Sequence, residues 1–266
     1  MNDDKGLTNL EISKEFKKYL NMRYKPLGMY FSDTLPEGKK RTQGKIFGRC
    51  MVGHVFKAAK SGGSSIIQKG KGCPGGLFWA GFRKKIIRGW VYFISHGHDD
   101  ILGGRAEHFK KNGNVAVQSI KDPGPINLPE NVKYIIYRRL KQIPDSQDIK
   151  FVLFFVKPNN LAKLISLINY ARHAPNIITA SAGSGCMSIL NYPLEMKKYP
   201  NPDGIMGVWD LYARKTIPKN VLTLALRLWM VKEMAVNMSE SFLAHTPPFT
   251  VKGEIIRFFK KKILKK

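Results

Sequence analysis

The sequence predicts an α/β fold, a single mixed-sheet domain with flanking helices over residues 1–250 followed by a basic amphipathic tail over 251–266. Three observations predict it. Short segments rich in β-branched and aromatic residues alternate with stretches whose apolar residues recur every three or four positions. One of these alternations reads as a complete β-α-β unit. The last residues, beyond Pro247-Pro248, change abruptly to a lysine-rich composition.

The elements follow in order. Thr8-Asn9-Leu10-Glu11 is a capping box, and Ile12, Phe16 and Leu20 continue it as an amphipathic helix to about Met22. "GMYF" (28–31) is a strand after Pro26, and residues 50–60 are helical, with Cys50 in the first turn. "WVYFIS" (90–95), "YIIY" (134–137) and "FVLFFV" (151–156) read as strands. After Pro158, Asn159 and Asn160 cap a helix whose apolar face is Leu161, Leu164, Ile165 and Ile168, and "NIITAS" (176–181) is the strand that closes the unit. A strand near "GVWDLYAR" (207–214) and a helix near "WMVKEMAVNMSESFL" (229–243) complete the body, and no internal repeat is visible.

Forty-five Lys and Arg against nineteen Asp and Glu give a formal charge of +26, so the surface attracts something anionic. No zinc-finger spacing, RNA-reading aromatic signature or basic heptad region is present, which excludes a sequence-specific nucleic-acid partner. The longest clean apolar run, Phe151 to Val156, is far below the roughly 20 residues of a membrane span, and "MNDDKG" lacks the order of a secretory signal. A cytoplasmic location is expected. In the tail, seven of the residues 252–266 are Lys or Arg, and Ile255, Ile256, Phe258, Phe259 and Ile263 share one helical side. That pattern predicts a peripheral anchor to an anionic membrane surface, here the inner face.

Cys50, Cys73 and Cys186 form no CxxC pair and are too few for a disulfide framework. Each lies beside glycine at a turn or helix start: Cys50 follows Gly48-Arg49, Cys73 precedes Pro74-Gly75-Gly76, and Cys186 follows Gly183-Ser184-Gly185. Free N–H groups there lower a thiol pKa, and Gly75, Gly76 and Gly185 leave room for an inorganic centre, so a shared metal site is one reading. Three small buried apolar residues are the other. "FISHGHDDILGG" (93–104) offers a different metal chemistry, because His96, His98 and Asp100 resemble the zinc ligands of metallo-β-lactamase-fold hydrolases, with Ile101 where a further histidine would stand. A third set, Arg105, Glu107, Lys110, Asp210 and Arg214, reads as the lining of a metal-free anion pocket.

The ordered segments "KPLGMYF", "GRCMVGHVFKAAKSGG", "GCPGG", "GGRAEHFKK", "FVLFFVKPNNLAKLI", "ITASAGSGC", "DLYAR" and "NMSESFL" resemble the prokaryotic domain of unknown function 169 family over residues 20–245. The resemblance implies one cytoplasmic α/β domain, common in anaerobic bacteria and archaea, with cysteines at positions 50, 73 and 186. From three such cysteines in anaerobes follows the expectation of an iron–sulfur cluster of the 4Fe-4S type, with an open fourth iron serving electron transfer to a redox partner protein or small-ligand binding.

Overall fold

The computed structural model of the protein describes residues 6–42, 50–122, 124–196 and 203–245; the predicted membrane tail lies outside them. The capping box forms as predicted: Glu11 N–H donates to the Thr8 hydroxyl at 3.2 Å, and the Thr8 N–H donates to the Glu11 carboxylate at 2.8 Å. Helix α1 (Asn9–Leu20) then leads into β1 (Leu27–Ser32), β2 (Lys40–Thr42), α2 (Met51–Ser61), β3 (Ser64–Gln68), α3 (Pro74–Trp79), α4 (Trp90–Ile94), α5 (Gly113–Lys121) and β4 (Tyr134–Arg139). The second half is β5 (Phe151–Val156), α6 (Pro158–Ile168), β6 (Ile178–Ala180), α7 (Gly185–Ile189), α8 (Asn191–Leu194), β7 (Gly204–Gly207), α9 (Leu211–Arg214), β8 (Leu222–Leu226), α10 (Leu228–Asn237) and α11 (Phe242–His245).

All eight strands join in one mixed sheet of order β2-β3-β4-β1-β5-β8-β7-β6. Strand β5 is buried along its whole length, as a central strand covered on both faces must be. One face carries α2, α3, α7, α8 and α9 over Met29, Tyr137, Phe151, Leu153 and Phe155. The other carries α1, α6 and α10 over Ile136, Val152, Phe154, Leu224 and Leu226. Among the described residues no helix is long and apolar enough to cross a membrane.

The sheet repeats itself, which the sequence does not reveal. A two-fold axis between β1 and β5 takes β1–β4 onto β5–β8 with the same order and the same parallel and antiparallel pairings. Register is kept throughout. Gly28 and Val152 pair with each other, and as Gly28 pairs with Arg138, Val152 pairs with Leu226. Ile66 pairs with Ile136 as Met206 does with Leu224, and Lys40 with Ser64 as Ile178 does with Gly204. A one-residue slip would reverse which side chains face the core, so this agreement keeps both halves facing the same two helix layers. In each half one parallel pair, β2-β3 or β6-β7, is joined through a helix start, α2 or α7.

Two segments fold differently from expectation. "WVYFIS" is helical over Trp90–Ile94, entered from Gly89 at φ 81°. The Trp90 ring lies 3.6 Å from where a Gly75 Cβ would stand, so packing on α3 overrides the strand propensity. In "GVWDLYAR" the strand ends at Gly207, Val208 takes a positive φ of 63°, and Asp210 starts α9. That conformation is costly for a β-branched residue, and complete burial of Val208 holds it.

Sheet and crossover layer are tied at Tyr137, fully buried in β4, whose hydroxyl donates to the Ile189 carbonyl in α7 at 2.7 Å. Tyr137→Phe leaves that carbonyl unpaired in the core, and denaturant unfolding is expected to show a loss of about 1–3 kcal/mol.

Candidate functional site

Four helix starts meet near the two-fold axis, and each begins on a residue noted in the sequence or beside one. Cys50 is the N-cap of α2 and Cys73 the N-cap of α3. In the other half the equivalent positions are Ser184, N-cap of α7 with Cys186 in its first turn, and Asp210, N-cap of α9. The second-half caps are conventional: the Ser184 hydroxyl accepts from Met187 N–H at 3.4 Å, and the Asp210 carboxylate accepts from Tyr212 N–H at 2.8 Å and Ala213 N–H at 3.3 Å. Asp210 also accepts from Gly185 N–H at 3.1 Å, so one carboxylate holds the starts of both α7 and α9. Neither Cys50 nor Cys73 makes a side-chain cap hydrogen bond, although the Val52 and Gly53 N–H groups face the Cys50 sulfur and favour its thiolate.

The three thiols and two carboxyls form one electrostatic neighbourhood. Burial pushes the Cys50 thiol up against the pull of those N–H groups, and the charges of Cys73 and Asp210 add to the rise. Burial pushes Cys186 well up, with Cys50, Cys73 and Asp210 adding again. The Glu107 carboxyl is raised by its own burial and by Asp210, while Lys215 opposes the rise. The thiols of Cys50 and Cys186 are therefore neutral near pH 7.

Glycines let these parts close together. A Cβ on Gly185 would stand 2.4 Å from the Ala213 Cβ and 3.0 Å from Val52 Cγ2, so helix-on-helix contact alone requires glycine there. A Cβ on Gly76 would lie 3.0 Å from Met51 Cε and 3.6 Å from the Cys186 sulfur, and one on Gly75 would lie 3.9 Å from the Cys73 sulfur.

This neighbourhood does not bear out the metal readings. Among the described residues no three His, Cys, Asp or Glu side chains are grouped to hold a metal ion. Each thiol is set on a different helix start. The iron–sulfur expectation for Cys50, Cys73 and Cys186 is corrected accordingly. The hydrolase reading falls by the same finding. His96, His98 and Asp100 are exposed on a turn after α4, where Tyr92 packs against both imidazole rings and His98 Nδ1 lies 3.8 Å from an Asp100 carboxylate oxygen. The anion set Arg105, Glu107, Lys110, Asp210 and Arg214 does not assemble either. Glu107 feels the charge of Asp210, while Arg214, joined to Asp210 through its backbone N–H, donates its guanidinium to the Pro218, Lys219 and Val221 carbonyls.

What the sequence reading missed is a cavity of about 380 Å³ lined by Cys50, Gly53, Lys57, Tyr212, Lys215 and Thr216. The signal was present. Cys50, Gly53 and Lys57 fall at i, i+3 and i+7 along α2, and Tyr212, Lys215 and Thr216 at i, i+3 and i+4, so each set shares one helical face. Gly53 is the point of closest approach, since a Cβ there would lie 2.7 Å from the Thr216 Cβ. A cleft of about 410 Å³ at the end of β1, lined by Asp33, Asn131 and Asp148 among others, stands apart from the thiols, and Lys150 there is paired with Asp148.

Residues 15–237 match the family described as Uncharacterised ArCR, the domain of unknown function 169. The chain belongs to that family. No curated protein and no solved structure matches the chain. Membership confirms the resemblance read from the ordered segments.

The coupling between Asp210 and Cys50 is testable directly. Peptide-resolved alkylation of Cys50 against pH is expected to show a midpoint above that of an unhindered cysteine, and Asp210→Asn, which removes the charge and keeps one oxygen for the Tyr212 and Ala213 N–H groups while giving up the acceptor of Gly185 N–H, moves the midpoint down. An unmoved midpoint would show that burial alone sets the thiol.

Proposed function

We propose that the protein binds a small organic anion in the cavity beside Cys50, with the ligand's charge facing Lys57 and Lys215 and its body against Tyr212. The observation that carries this reading is the cavity's position: it is bounded by the two lysines and opens onto Cys50, in the same neighbourhood as Cys186, Glu107 and Asp210. Perturbed groups around a cavity of ligand size mark functional sites more often than chance packing does. Lysine ammonium groups attract an anion as point charges without demanding one fixed geometry, which suits a carboxylate or a phosphate. Neutral thiols matter here, because a thiolate at Cys50 would repel the ligand.

The test uses two alkylating reagents of similar size and opposite preference. Iodoacetate carries a negative charge and iodoacetamide none, so the ratio of their rates at Cys50, read peptide by peptide, reports whether the cavity collects anions. Lys57→Ala and Lys215→Ala are each expected to lower the ratio by roughly three- to tenfold, with the unfolding midpoint unchanged, and inorganic phosphate is expected to slow both reagents in the wild type. A ratio indifferent to both lysines would sink the proposal.

A further inference from the structure

Independently of that cavity, we propose that the surface formed by Tyr92, His96 and His98 with the basic segments on either side binds single-stranded nucleic acid without sequence preference. The chain between residues 83 and 111 carries seven Lys or Arg against three Asp or Glu. Arg83, Lys84, Lys85 and Arg88 are exposed before α4, and Lys111 is exposed after it with Lys110 half-buried beside it. The first run leads along the chain into α4, and the second is brought to it by backbone bonds. Glu107 N–H donates to the Phe93 carbonyl at 2.7 Å and Lys110 N–H to the Ile94 carbonyl at 2.9 Å, which fastens the second run along α4.

Between the runs stands an aromatic group that the fold leaves open. Tyr92 is 39% exposed, and the exposed His96 and His98 rings lie 5.8 and 5.0 Å from it at interplanar angles of 88° and 56°. Phe109, 40% exposed, follows on the fastened segment. Flat exposed rings flanked by Lys and Arg suit a single strand, whose bases stack on the rings while the backbone follows the charges. A duplex keeps its base faces covered and would use only the charges. An anionic membrane suits the surface less, because exposed Asp99 and Asp100 stand on the same turn as Leu102 and would have to enter the headgroup layer with it. Carboxylates at that place can instead accept from base amino groups.

Fluorescence anisotropy of a labelled oligothymidylate of about twenty nucleotides, titrated with the full chain, tests this. Binding is expected to weaken as salt rises, and Tyr92→Ala is expected to weaken it about tenfold while Tyr92→Phe preserves it. Lys84→Ala combined with Lys85→Ala flattens the salt dependence. Thermal unfolding of each variant confirms that the fold is kept. Absence of binding, or binding equal in wild type and Tyr92→Ala, overturns the proposal. So does a result in which anionic vesicles pellet the protein in a Tyr92-dependent manner and the oligonucleotide does not bind.

Discussion

The antiparallel pairing of β1 with β5 is the constraint on which the remainder of the structure depends. It is only three residue pairs long, Leu27 with Leu153 to Met29 with Phe151, yet it joins two four-stranded halves of identical topology. Both strands have neighbours on each side, so the seam lies in the middle of the sheet. Gly28 sits at its centre, and the space a Cβ would need is taken by Ile143 Cδ1 at 2.5 Å and Ile149 Cδ1 at 3.3 Å. Because the halves are related by a two-fold axis through this seam, whatever each half places on the crossover face near the axis is brought against its counterpart. Helix α2 meets α7 in this way, through Val52 and Gly185.

The halves have the same plan and different caps. Ser184 and Asp210 satisfy the first N–H groups of their helices with oxygen, as helix starts ordinarily do. At the two equivalent starts of the first half the caps are cysteines, whose sulfur is a weak acceptor. A helix start capped by cysteine forgoes about 1 kcal/mol of stability that serine or aspartate would supply. Both departures from ordinary capping fall in the half that contributes Lys57 and the cavity's edge at Cys50, which is where function rather than stability explains them.

How much of this was legible depended on the range of the interaction involved. The capping box at Thr8, the β5 strand and the amphipathic α6 are local features, and local spacing found them. The α6 start lies two or three residues earlier than expected, at Pro158 after Lys157, because proline fixes the first helical φ more firmly than the asparagines behind it cap. Strand "WVYFIS" was misread because its residue types suit a strand, while its place was decided by contact with α3. The short β8, Leu222–Leu226, and β3, Ser64–Gln68, are absent from the sequence reading although Pro218-Lys219-Asn220 and Gly62-Gly63 precede them, and the internal two-fold is faint in side-chain identity: Phe31 corresponds to Phe155, but Tyr137 to Ala225 and Ser64 to Gly204. Backbone topology can be duplicated while side chains diverge, and only pairing registers expose it. The cysteines were rightly placed at helix starts. Their sharing of one neighbourhood followed from the seam, which no spacing along the chain encodes.

Electrostatics links the thiols to the charge of the whole molecule. With a formal charge of +26, a cleft lined by lysines such as Lys57 and Lys215 concentrates positive potential, and ionised acids in it would ordinarily be stabilised. At this site burial works in the opposite direction and wins: Cys50 and Cys186 are raised, and Glu107 is raised although Lys215 opposes it. The consequence is that the site's own acids leave much of the surrounding positive potential uncancelled. The Asp210 carboxylate is turned toward three backbone N–H groups at two helix starts. The lysines at the cavity edge are thereby kept for an anion from outside. A bound anion would in turn raise the thiols further, since its charge adds to that of Asp210, so occupancy of the cavity and protonation of Cys50 reinforce each other.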